Sequence, residues 1–295
     1  MDARGRWPSA ELVLDARARL GEGPLWDERR RVLVWVDILA PSVHAYRPED
    51  GSDTVTPVPL PVGAVALREP EGLLLALEDG FWVRDAGGRM RRLAAVEADD
   101  RSTRMNDGRV DPAGRFYCGT MAYDERPGAA ALYRLDPDGR VSRVLGGATI
   151  SNGIDWSPDG GTCWYIDTPT RGVDAFDYVR ETGELRNRRR VISIPDGQGW
   201  PDGLTVDGEG YVWVAFWGGW CVRRFAPDGT FDREIRLPVA QVTSCTFGGD
   251  RLDELYIITA WNGLPDAERA AQPLAGGLFR ARPGVTGLPA RRFRG

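Results

Sequence analysis

The chain is 295 residues long, 42% hydrophobic and 27% charged, with a mean hydropathy of -0.35. A net charge of -5 and a pI near 5.2 exclude the basic footprint of a nucleic-acid binder. No apolar run approaches the roughly 18–20 residues of a membrane span, and the opening MDARGRWPSAELVLDARARL lacks the apolar core of a signal peptide, so the expectation is a cytoplasmic protein with neither nucleic acid nor membrane as partner, and a monomer is the default because the sequence carries no reading of oligomeric state.

In chain order, short β-rich runs alternate with turns: RVLVWVDI from 31, GLLLALEDGFWV from 72, RFYCGTM from 115, TCWYIDT from 162, YVWVAFW from 211 and ELYIITA from 254. No long segment places apolar residues at helical spacing. Six units at steps of 41 to 49 residues, each with several short strands, predict an all-β fold, a six-bladed β-propeller of four-stranded antiparallel blades filling residues 1–295 as one domain. ELVLDARARL near the start and GGLFRARPG near the end are the segments expected to close the ring.

The units share a finer phase. Their starting positions fall at Glu22, Ala64, Asn106, Asn152, Asp202 and Ser244, and the four that begin at Glu22, Asn106, Asn152 and Asp202 carry a turn residue five positions on, at Asp27, Asp111, Ser157 and Asp207. Asn106-Asp107-Gly108 reads locally as a hairpin turn, yet Asp111-Pro112-Ala113-Gly114 offers another turn three residues later. Two turns that close leave no strand between them. The repeat resolves the conflict: the turn is Asp111–Gly114, and Asn106-Asp107 enters the innermost strand of a blade, pointing toward the mouth of the central channel. A ring of such positions, with Glu22, Asn152 and Asp202 among them, is a set of oxygen ligands for a hard cation. Each residue singly is also a common turn former. Glu22 is the least turn-like of them.

Residue absences narrow the chemistry. All 38 basic residues are arginine, which excludes Schiff-base and P-loop lysines. The single histidine, His44 in SVHAYRP, excludes a His-rich zinc site and reads as structural. Cys118, Cys163, Cys221 and Cys245 show no CxxC spacing and read as buried, reduced thiols. There is no G-x-S-x-G. The arginine run RNRRR at 186–190 reads as the solvated outer edge of blade four. Trp200 and Trp217, with Trp261 and Asn262, are candidates for the mouth, and the other tryptophans for packing between blades.

The motifs GEGPLWDERRRVLVWVDI, RMNDGRVDPAGRFYCGTM, SNGIDWSPDG, YIDTPTRGVDAFDYV, PDGLTVDGEGYVWVA and LPVAQVTSCTFGG resemble the regucalcin/gluconolactonase family, also called the senescence marker protein family. The resemblance runs in order from about residue 11 to residue 294. It implies a six-bladed propeller that hydrolyses a sugar lactone with one divalent metal ion in the channel: Ca²⁺ first, with Zn²⁺, Mn²⁺, Mg²⁺ or Fe²⁺ as alternatives. By motif, Glu22, Asn152 and Asp202 match the metal ligands, and Asp202 also the general base. Arg104 and Asn106 match residues that hold the substrate, with Asp107 beside them as a candidate for a second ion or water. Asp124 falls where relatives carry a substrate-contacting glutamate, and the shorter acid departs from that pattern. Two other readings stay open: a different metal-dependent ester or phosphoester hydrolase on the same scaffold, and a non-enzymatic calcium-binding regulatory protein.

Overall fold

Residues 9–295 are described by the structure, a computed structural model. Six four-stranded antiparallel sheets follow one another along the chain. In each, the first strand is innermost: Gly21–Asp27, Val62–Leu67, Thr103–Val110, Ser151–Trp156, Trp200–Val206 and Val242–Gly248. These six strands neighbour each other around a central channel. The outermost strands, such as Ser52–Pro57 and Glu184–Ser193, are largely exposed, while the second strands are almost wholly buried. The run RNRRR lies on that exposed edge of blade four, where Arg188 and Arg190 pair with Asp174 and Arg189 pairs with Asp177.

Aromatic side chains on neighbouring blades pack between the sheets, which gives each blade a buried face on both sides. Phe81 meets Phe116 at 5.8 Å and Tyr117 meets Trp156 at 5.2 Å. Trp213 meets Phe247 at 5.9 Å, and Trp26 stacks on Tyr256 at 6.0 Å. All four cysteines are buried and free. His44 is buried in its strand, stacked on Trp35 and bonded to Asp53 through Nδ1 at 2.7 Å.

The ring closes by mixing the two ends of the chain. Glu11–Leu14 pairs antiparallel with Leu278–Ala281 and becomes the outermost strand of blade six, so the two predicted closing segments meet. The C-terminal stretch then crosses the far end of the channel and touches every blade. Gly287 donates its N–H to Leu252 O, and Thr286 O accepts from Gly208 N. Arg291 reaches Asp155, and Arg294 N donates to Gly114 O. Phe293 N donates to Leu67 O, and Arg292 pairs with Asp27. Phe293 itself is fully buried. The channel is therefore plugged at one end and open at the other, where the inner strands begin.

The turn residues at the closed end behave as the repeat predicts. Asp111 Oδ1 accepts the N–H groups of Ala113 and Arg115, and Asp207 Oδ1 those of Glu209 and Tyr211. Gly114 sits at φ +87°, a left-handed position that favours glycine. The turn is Asp111–Gly114, with Gly114 N bonded to Asp111 O.

Candidate active site

Every inner strand carries a β-bulge near its start, between Glu22 and Leu25, Val62 and Ala64, Met105 and Gly108, Ser151 and Ile154, Pro201 and Leu204, and Val242 and Ser244. A bulge places two residues opposite one and re-aims a side chain. Asn106-Asp107 is therefore neither hairpin turn nor strand entry; it is the bulge of blade three. Asn106, Asn152 and Asp202 each begin the bulge of their own strand, while Glu22 is the last paired residue before its own. In blades two and six the bulged residue is Gly63 and Thr243, one position earlier than the sequence phase placed it. Ala64 and Ser244 are thus paired and buried rather than members of the ring. Crowding explains a glycine there: a Cβ on Gly63 would collide with the Asn106 carbonyl oxygen.

Glu22, Arg104, Asn106, Asn152 and Asp202 line one cavity of about 360 Å³ at the open end of the channel. All five are themselves buried. Two aspartates hold the approach to this ring. Asp37 accepts the N–H groups of Arg19 and Leu20, three and two residues before Glu22. Asp167 does the same for Thr149 and Ile150 ahead of Asn152.

The amide of Asn152 is oriented from behind. Its Nδ2 donates to Thr168 Oγ1 at 3.0 Å, and that hydroxyl donates on to Pro201 O at 2.8 Å. Oδ1 is left buried without a hydrogen-bond partner. Burial pushes the Glu22 carboxyl well above the usual range, with the charges of Asp202 and Asp107 adding to it and the Gly23 N–H and Arg104 opposing. Asp202 is raised well above its ordinary value by burial and then by Asp107, against Asn152 and Arg104. Arg104 bonds Asn106 Oδ1 at 2.7 Å, and Asn106 Nδ2 bonds Ser151 O at 2.9 Å, so the pair is held rigidly at the cavity wall.

An orphaned amide oxygen beside two desolvated carboxylates fits a divalent cation that prefers oxygen ligands. Among the described residues no cluster of three His, Cys, Asp or Glu side chains can hold a metal. The set reaches three only with the Asn152 amide.

Three of the expected residues, Asp107, Asp124 and Trp261, lie outside the cavity lining. Asp107 is buried; its carboxylate accepts Gly108 N and is pushed up to about 6 by burial, against Arg109. Asp124 is exposed and pairs with Arg126 at 2.9 Å. Its neighbour Glu125, held at φ +54°, lines the cavity instead, together with Tyr123. Trp200, Trp217 and Asn262 also line it, whereas Trp261 is bonded to Arg17 O and lies under Arg269. Thr168 and Glu125 were not singled out in the sequence: a threonine behind a ligand and an acid one residue off the motif leave no pattern to read.

Residues 20–261 match the family described as SMP-30/Gluconolactonase/LRE-like region. The chain belongs to this family. A regucalcin from Gallus gallus is 39% identical over 296 residues, covering 97% of this chain and 98% of its own. A calcium-binding protein, regucalcin, from Agrobacterium tumefaciens superposes with a TM-score of 0.94 at 29% identity, over 98% of both chains. A gluconolactonase from Xanthomonas campestris superposes at 0.76 with 25% identity, over 94% of this chain and 95% of its own. The SMP-30/gluconolactonase membership agrees with the six blades.

Proposed function

We propose that this protein hydrolyses a sugar lactone to the aldonic acid with one divalent metal ion, Ca²⁺ first among the candidates, held by Glu22, Asn152 and Asp202. The observation that carries the reading is the unpartnered Asn152 Oδ1 in one cavity with the raised carboxyls of Glu22 and Asp202. The family's gluconolactonases supply the reaction class, and the calcium-binding protein from Agrobacterium tumefaciens favours the ion. The protein is read as a cytoplasmic monomer acting on a small molecule, in keeping with its free cysteines. Among the described residues no helix is long and apolar enough to cross a membrane.

When bound, the ion polarises the lactone carbonyl and stabilises the charge developing on its oxygen. Asp202 takes a proton from the attacking water as the new C–O bond forms, and returns it to the ring oxygen as the ester bond breaks. Burial alone would hold the Asp202 carboxyl protonated, and the adjacent cation would keep it ionised and so able to accept that proton. Asp107 acts through its charge on Glu22 and Asp202. Arg104 and Asn106 orient the substrate hydroxyls, and Asn106 is fixed for that task by its two hydrogen bonds. Asp124, paired with Arg126 on the rim, has a place in substrate binding only if that ion pair opens.

The test is proton release from D-glucono-, D-xylono- and L-arabino-lactones by chelator-stripped protein, with each divalent ion added back and the metal-only rate subtracted. Restored turnover, lowered by about 10²–10⁴-fold in Asp202→Asn, is expected. An ion that binds with no turnover of any lactone would overturn the hydrolase reading and favour a calcium-binding protein.

A further inference from the structure

The mouth has two unlike walls. Blade three supplies the polar side, with Arg104, Asn106 and Glu125. Blade five supplies Trp200 and Trp217, which are register partners on adjacent antiparallel strands and so project from the same face of the sheet. Trp200 opens the inner strand two residues before Asp202 and is 42% exposed. It is nevertheless held in place. The Arg171 guanidinium lies 4.4 Å from its ring centroid. Arg171 is in turn anchored on Ile194 O and Pro195 O and paired with Asp196 at 3.0 Å. Trp217 packs against the apolar cluster that contains Leu20 and Ala260.

Single exposed hydrophobic residues are ordinary on protein surfaces. A tryptophan stacked under an anchored arginine, beside a second one and lining the same cavity as an unpartnered amide oxygen, is a built surface. The guanidinium lies over the Trp200 ring by cation–π contact, and the same tryptophan lines the cavity. Pockets of this kind orient a ligand by a few polar groups against an apolar or aromatic side.

We propose that Trp200 and Trp217 form a specificity wall that binds the C–H face of a six-membered aldonolactone while blade three engages its hydroxyls. The inference rests on the lactonase reading and narrows its substrate class. A 1,5-lactone whose hydroxyls lie around the ring edge presents a flat patch of C–H bonds to an indole. A five-membered lactone with a hydroxylated side chain presents a smaller one. The two tryptophans therefore contribute more to holding a 1,5-lactone than a 1,4-lactone.

The experiment compares wild type, Trp200→Ala, Trp200→Phe and Arg171→Ala, each with its ion. It measures kcat and KM for D-glucono-1,5-lactone and a 1,4-lactone. It also measures calorimetric binding of D-glucono-1,5-lactam, whose ring amide resists hydrolysis. In Trp200→Ala, KM for the 1,5-lactone and Kd for the lactam should rise about 10-fold. kcat should stay within about 2-fold, Trp200→Phe should recover most of the loss, and Arg171→Ala should show a smaller rise. An unchanged KM and Kd in Trp200→Ala, or no lactam binding to wild type, would overturn the wall. Turnover by wild type with those values unchanged leaves the lactonase reading intact. Lactam binding lost in Trp200→Ala without turnover by wild type supports the wall while removing the reaction.

Discussion

Asn152 shows how little at the site depends on one side chain alone. Its amide is turned by Thr168, whose hydroxyl is itself fixed on Pro201 O. Removing that hydroxyl in Thr168→Val frees the amide to rotate, and ligand affinity depends on such supporting contacts. The expected loss of Ca²⁺ affinity is about 10–100-fold, read by calorimetry on chelator-stripped protein. The carboxyls make a second prediction. Glu22, Asp107 and Asp202 all have folded values raised above their ordinary ones, Asp107 to about 6. A raised carboxyl favours the folded state at low pH, and that contribution is lost as pH rises through the folded value. The ion-free protein should therefore lose stability between the ordinary carboxylate range and pH values above about 6. A bound cation favours the ionised forms, so the rise in Tm on adding Ca²⁺ should grow from pH 5 to pH 7.5. A shift that shrinks over that range would contradict the ligand assignment.

At the scale of elements, the bulge and the tail have opposite tasks. The bulge turns Asn106, Asn152 and Asp202 toward the mouth, and the tail seals the far end. Phe293 packs fully buried among residues of blades two and three. Phe293→Ala should destabilise the fold by about 3–5 kcal/mol in denaturant titration. KM should not change, because the plug and the cavity lie at opposite ends of the channel.

For the molecule as a whole, closure is the governing fact. Blade six contains strands from both ends of the chain, so the ring has no free start. A chain beginning at Asp15 lacks the strand Glu11–Leu14 and leaves the edge at Leu278–Ala281 unpaired. Val13 and Leu14 are half-buried against the Trp26 and Trp35 cluster. Losing that contact should cost on the order of 2 kcal/mol, about 4–8 °C in Tm. Light scattering should also show association through the open edge.

Repetition made much of this legible. Six β-rich runs at near-constant spacing determine the blade count, because each unit buries its faces only against its neighbours. The polar starts at Glu22, Asn152 and Asp202 could be aligned because they are local features of the chain. Register was another matter. Gly63 and Thr243, rather than Ala64 and Ser244, occupy the bulges, because a one-residue slip is set by pairing with the adjacent strand. Asp124 and Glu125 are adjacent acids in the sequence, and only the turn at φ +54° directs Glu125 to the cavity while Arg126 holds Asp124 outside. The sequence by itself determined the repeat, the closing segments and the oxygen-rich, lysine-free chemistry, since these follow from composition and spacing. Tertiary structure decided which of those side chains share a cavity, since residues from four different blades meet there and the packing between strands sets where each one points.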